Sequence, residues 1–121
     1  MIITHTFTIP IRTVSEANSS EHWSKKSARH KKQKKWVRIY MNGKGIHPPC
    51  HIKLTRIAPR KLDKDDNLPT SFKYIKDYIA DVIKPGLAPG RADDDETITW
   101  DYAQEKGLPN TYGFRVEISK L

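Results

Sequence analysis

Two short runs of carboxylates stand out in a basic chain. Asp63, Asp65 and Asp66 fall within four positions, and Asp93, Asp94, Asp95 and Glu96 fill another four, so seven of the fourteen acids occupy two places. Like charges this close raise one another's pKa and cost stability unless a cation compensates them. Mg²⁺ or Mn²⁺ is such a cation, hard and oxygen-loving, commonly held by a few carboxylates plus water and a substrate phosphate. Carboxylates brought together from two chain segments can hold one or two of these ions, which activate water and stabilise charge on a phosphodiester. Bland readings compete with this one. A single Asp or Asn of the first window caps a helix while its neighbours favour the positive end of the dipole, and the second window is a solvated loop.

Lys73 follows Asp66 by seven residues, or two helical turns, which predicts the same helix face for Asp66, Thr70 and Lys73. A lysine there could neutralise charge developing on a phosphate, or be an ordinary solvated side chain. Lys76 points to a different side.

The cations are as unevenly placed as the acids. Lys25, Lys26, Arg29, Lys31, Lys32, Lys34, Lys35 and Arg38 crowd a segment with no acid, eight of the chain's twenty-two basic residues. A solvated helix normally intersperses acids, because i, i+4 Glu–Lys pairs stabilise it and like-charge pairs do the opposite. Neutralisation of nucleic-acid phosphates, with counterion release, accounts for the pattern better. Such contacts position a duplex and read no sequence. Trp23 is placed to stack on a base, and Trp36 reads as core. His47, Cys50 and His51 do not make a zinc site: no paired ligand motif accompanies them, and adjacent strand residues face opposite ways.

The elements that must hold these residues follow from periodicity. Residues 2–9 alternate as a strand ending at Pro10. Asn18 with Glu21 three residues later resembles a capping signal for a helix running to about Met41, apolar only in its second half at Trp36, Val37, Tyr40 and Met41. Cys50, Ile52 and Leu54 alternate as a second strand. Leu68, Phe72, Ile75, Ile79 and Ile83 predict one helix with Pro69 in its first turn, ending near Lys84-Pro85-Gly86. Ile98, Trp100 and Tyr102, then Phe114, Val116 and Ile118, give two more strands. The order β-α-β-α-β-β predicts an α+β fold, a mixed sheet with two main helices packed on it. If the second and third strands are neighbours, both acidic windows can converge at one end of the sheet.

Length and composition set the frame. With 121 residues and an apolar share of 36%, the chain has room for one domain, residues 1–121, and a modest core. The net charge of +8 favours an anionic partner. The lone Cys50 forbids an intrachain disulfide and points to a reducing interior. No stretch approaches 18 apolar residues, so no membrane span is expected. The start lacks the basic region and cleavage site of a secretory signal.

Taken together, Asp63-Lys64-Asp65-Asp66-Asn67-Leu68, the helix carrying Phe72-Lys73 and Ile79-Ala80-Asp81, and Asp93-Asp94-Asp95 leading into Thr97 through Lys106 resemble the RusA-like Holliday junction resolvases often encoded by phages and prophages. The resemblance covers roughly residues 60–106, and more loosely the strand ending in Ile9-Pro10 and the basic helix. It implies a homodimeric, Mg²⁺-dependent endonuclease of the cytoplasm of a bacterial or phage-infected cell, with Mn²⁺ as a substitute, cutting four-way DNA junctions symmetrically. The family's metal site uses an Asp-Leu-Asp-Asn-Leu motif, an aspartate from a later acidic pair, and a lysine on the following helix. Asp66-Asn67-Leu68 matches the end of that motif. Its first aspartate falls on Lys64, leaving Asp63 or Asp65 to serve. The later aspartate is one or two of Asp93, Asp94 and Asp95, with Asp95 among the catalytic set, and the family lysine falls near Thr70, with Lys73 the closest candidate. Two other readings stand beside it: a non-catalytic nucleic-acid-binding protein, and a metal nuclease for other branched DNA or for RNA.

Overall fold

The computed structural model describes residues 2–15, 22–62, 67–85 and 96–121. Strand β1 spans Ile3–Ile9 and helix α1 Trp23–Met41. Strand β2 is Cys50–Ala58, followed by helices α2, Asn67–Ser71, and α3, Lys73–Ile83. Strands β3, Ile98–Lys106, and β4, Gly113–Lys120, complete the α+β fold in the expected order. The mixed sheet runs β1-β4-β2-β3. β4 lies antiparallel to both β1 and β2, whereas β2 and β3 are parallel, with Cys50 opposite Ile98 and Ala58 opposite Lys106.

The helices cover one face of the sheet. Ile9, Ile52, Leu54, Phe114, Val116 and Ile118 on that face are buried against Val37 and Met41 of α1 and Ile75, Ile79 and Ile83 of α3 in one apolar cluster. α1 buries only Gln33, Val37 and Met41, spaced four apart, so its second half carries the anchoring, as the apolar pattern predicts. The capping signal at Asn18 and Glu21 lies outside the described residues. The helix begins at Trp23 and is capped by His22, whose Nδ1 accepts a hydrogen bond from the Ser24 amide at 3.2 Å.

The apolar period predicts one helix across Leu68–Ile83, and the structure divides it at Phe72, whose backbone sits at φ −105°, ψ 5°, the bridge region between helix and strand. The Phe72 amide donates to the Pro69 carbonyl three residues back, a tighter turn than the α-helical one. The Ser71 and Thr70 hydroxyls donate to the Leu68 and Asn67 carbonyls at 2.7 and 3.3 Å, local bonds that compete with the helical ladder. The fully buried Phe72 ring lies 5.9 Å from Tyr102, nearly parallel, and 6.0 Å edge-on from Phe114. The apolar period survives the break because the sheet holds the ring where an unbroken helix would also have put it.

Candidate functional site

The six aspartates proposed as ligands, Asp63, Asp65, Asp66, Asp93, Asp94 and Asp95, all lie outside the described residues. What the structure does describe is how the residues flanking these windows are held. Before the first window, the Arg60 carbonyl accepts from Arg56 Nη1 at 2.7 Å. Leu62 is then held twice by one side chain: its amide donates to Gln104 Oε1 at 2.8 Å, and Gln104 Nε2 donates to its carbonyl at 2.9 Å. After the window, Asn67 Oδ1 accepts from the Ser15 hydroxyl at 2.9 Å, with Thr70 Oγ1 3.3 Å from the same hydroxyl. Leu62 and Asn67, the described residues on either side of the first window, are thus both fixed by side-chain hydrogen bonds.

Thr97, which follows the second window, joins the sheet elsewhere. The Cys50 amide donates to the Thr97 carbonyl at 2.9 Å, so the chain comes into β3 at the Cys50 end of β2. β2 and β3 are neighbours, as that expectation supposes, and they run parallel. The end of β2 that leads to the first window and the start of β3 that follows the second are opposite ends of the sheet. Gln104 and Ile98 are six residues apart along β3, about 20 Å at 3.3 Å per residue.

Lys73 opens α3 and is exposed, its Nζ 5.4 Å from the Tyr74 ring centroid. The break at Phe72 means that helical phase no longer ties it to Thr70 and Asp66, so the shared face predicted for these residues does not follow from an unbroken helix. Lys76 is placed differently, with Nζ 5.4 Å from the Trp100 ring centroid over the sheet.

A feature that motif reading passes over is a pair of arginines at the Ala58 end. Arg56 occupies the core face of β2 and is only 7% exposed. Burial, and after it the nearby Arg12 charge, lowers its pKa from the ordinary guanidinium value, with Tyr112 acting the other way. Its Nε has no hydrogen-bond partner among the described residues. The Arg12 guanidinium lies 4.5 Å over the Tyr112 ring centroid. The signal is present in the alternation Cys50, Ile52, Leu54, which continues onto Arg56 and Ala58. Arg56 of this pair bonds the Arg60 carbonyl just before the first acidic window.

All eight basic residues of the acid-free segment lie in α1, and six of them, Lys25, Lys31, Lys32, Lys34, Lys35 and Arg38, are exposed. The first turn of the helix has no acid. Between α1 and α3 runs an open groove lined by Trp23, Lys26, His30, Lys34, Tyr74 and Tyr78, among others. Sequence reasoning misses Tyr74 and Tyr78, because their spacing on α3 marks them only as flanks of the apolar stripe.

Cys50 is buried, which raises its thiol pKa, while His51 on the opposite face has Nδ1 2.7 Å from Thr99 Oγ1. Among the described residues no three His, Cys, Asp or Glu side chains gather as a metal site, and no helix is long and apolar enough to cross a membrane. Compared with known proteins, the chain matches no protein-family model and no curated sequence.

Proposed function

We propose that this protein is a divalent-metal-dependent endonuclease that resolves four-way DNA junctions, similar to the RusA-like resolvases. The observation that carries the reading is the fixing of Leu62 and Asn67, the described residues on either side of the first acidic window. Three aspartates fall between the doubly bonded Leu62 and the Ser15-bonded Asn67, in a chain of net charge +8 whose acid-free helix offers a row of exposed cations. A helix cap needs one acid; three within four sequence positions suit a bound cation better. The donor set is all hard oxygen, which fits Mg²⁺ or Mn²⁺ and not a soft metal.

On this reading Asp63, Asp65 and Asp66, with one or two of Asp93, Asp94 and Asp95, hold the metal. When bound, the ion supplies charge neutralisation on the phosphodiester and acidifies water for attack. Lys73 adds positive charge near the scissile phosphate, and the lysines and arginines of α1 grip the junction arms. A homodimer suits the substrate, because a four-way junction is nearly two-fold symmetric and two strands must be cut. The working compartment is then the cytoplasm of a bacterial or phage-infected cell.

The test is cleavage of a synthetic four-way junction with Mg²⁺ or Mn²⁺, beside linear duplex, flaps and structured RNA. Junction-selective nicking supports the reading; equal cutting of flaps or RNA moves it to a broader metal nuclease; no cutting with either metal sinks it. One observation favours a second reading, a nucleic-acid-binding protein without catalysis: the strand ends adjoining the two windows lie at opposite ends of the sheet.

A further inference from the structure

We infer that the groove between α1 and α3 is a slot for an unpaired stretch of DNA strand, with one base stacked on Trp23. The groove encloses about 450 Å³, within the range of small-ligand sites. Its walls are aromatic and cationic, and none of its lining side chains is acidic. Trp23, the first residue of α1, is 74% exposed, with its indole 5.5 Å from the His22 ring. Across the groove the His30 and Tyr74 rings pack 4.0 Å apart, and Lys34 Nζ lies 6.0 Å from the Tyr78 ring. Lys26, Lys31 and Lys34 place three positive charges on the α1 wall.

An indole left open to solvent beside cations is what single strands use, because a base stacks on the ring while its phosphates meet the lysines. A duplex offers phosphates but keeps its base faces stacked inside, so Trp23 would have no role in holding one. An acidic peptide would use the lysines and gain less from the aromatic faces. Strand ends and crossing points of branched DNA are where bases leave the stack. The inference therefore deepens the DNA-directed reading, and it rests on that reading's choice of ligand and not on its metal chemistry.

The test is a titration of the whole protein with fluorescein-labelled dT12, with a dT12 carrying abasic sites at its centre, and with a poly-glutamate peptide, all without divalent metal. Base stacking on Trp23 quenches its emission, and Trp23→Ala removes that quench while Trp36 and Trp100 remain. Trp23→Ala weakens dT12 binding about tenfold, Trp23→Phe restores most of it, and the abasic strand binds the wild type as weakly as dT12 binds Trp23→Ala. The inference is overturned if Trp23→Ala stays within about twofold of wild type, if the abasic strand binds equally well, or if poly-glutamate matches dT12. Trp23 is exposed enough that its replacement leaves the fold intact, and the abasic arm needs no variant. Junction cleavage is scored separately: a wild type that binds dT12 through Trp23 but cuts nothing refutes the nuclease and leaves the slot standing.

Discussion

Gln104 grips Leu62 by both backbone groups, the amide at 2.8 Å and the carbonyl at 2.9 Å, and so ties the residue before the first acidic window to the parallel strand pair. Gln104 lies opposite Arg56 on the parallel ladder, which puts this clamp and the buried guanidinium side by side. Gln104→Leu keeps the strand but removes both bonds. It is expected to cost about 1–3 kcal/mol of stability and, on the metal reading, about 10- to 100-fold in Mn²⁺ affinity or cleavage rate. Calorimetric Mn²⁺ titration alongside urea unfolding separates the two effects; unchanged metal binding would mean the clamp serves stability alone.

Asp66→Asn and Asp95→Asn distinguish catalysis from capping. If these carboxylates hold metal, each substitution costs several kcal/mol of transition-state stabilisation, or about 100-fold or more in junction cleavage. Binding to the junction is retained or rises, since a negative charge near the phosphates is gone. The binding-only reading expects a small shift in melting temperature and no other change. Gel-shift and cleavage assays on one preparation give the answer.

The charges of α1 predict how affinity responds to salt. Replacing Lys32 and Lys35 by Gln is expected to flatten the log Kd against log salt slope by about 0.9 for each phosphate that is no longer neutralised, uniformly across sequences. Lys32→Glu goes further in an instructive direction. It introduces an acid three residues from both Arg29 and Lys35, so the free protein becomes more stable while nucleic-acid affinity falls. Thermal melts and anisotropy measured over a salt series check both signs.

Phe72→Ala tests the break between α2 and α3. The ring is fully buried between Tyr102 and Phe114, so its removal is expected to cost about 3–5 kcal/mol. That is a large share of the stability of a domain this size. Urea denaturation reads the loss, with Phe72→Leu recovering much of it.

Cys50 carries a pH prediction. Its folded-state pKa is raised by burial, so the folded protein keeps a proton that the unfolded chain gives up above roughly pH 8.5. The unfolded state then binds fewer protons, and stability falls as pH rises past that point. Cys50→Ala lacks this loss, so the stability gap between wild type and variant is expected to narrow or reverse between pH 8 and 10 in urea melts. The native thiol should also resist alkylation until denaturant is added.

The alternating strands and the five-residue apolar stripe of α2 and α3 are legible in the sequence because each buries one face, and burial leaves a period. The parallel pairing of β2 with β3 is not, since an alternating strand is the same in either direction, and whether the acidic windows converge depends on that direction. The helix break at Phe72 leaves no periodic trace. Ser71 and Thr70, with hydroxyls able to bond local carbonyls, are its marks. Arg56 can be found by following the β2 alternation two residues further, to where a charge occupies a core position. The groove cannot, because Trp23 and Tyr74 are fifty-one positions apart and only the packing of α1 on α3 brings them together.

The missing acids of α1 also govern what a stability measurement on this protein means. A helix with eight cations and no acid of its own carries a repulsion that a bound polyanion would relieve, so on the proposed reading nucleic acid is a folding ligand as well as a substrate. A preparation that retains cellular nucleic acid will melt higher than one stripped by high salt, and the difference will grow as ionic strength falls. On that reading the stripped protein's melting temperature is a floor, and the working stability belongs to the complex.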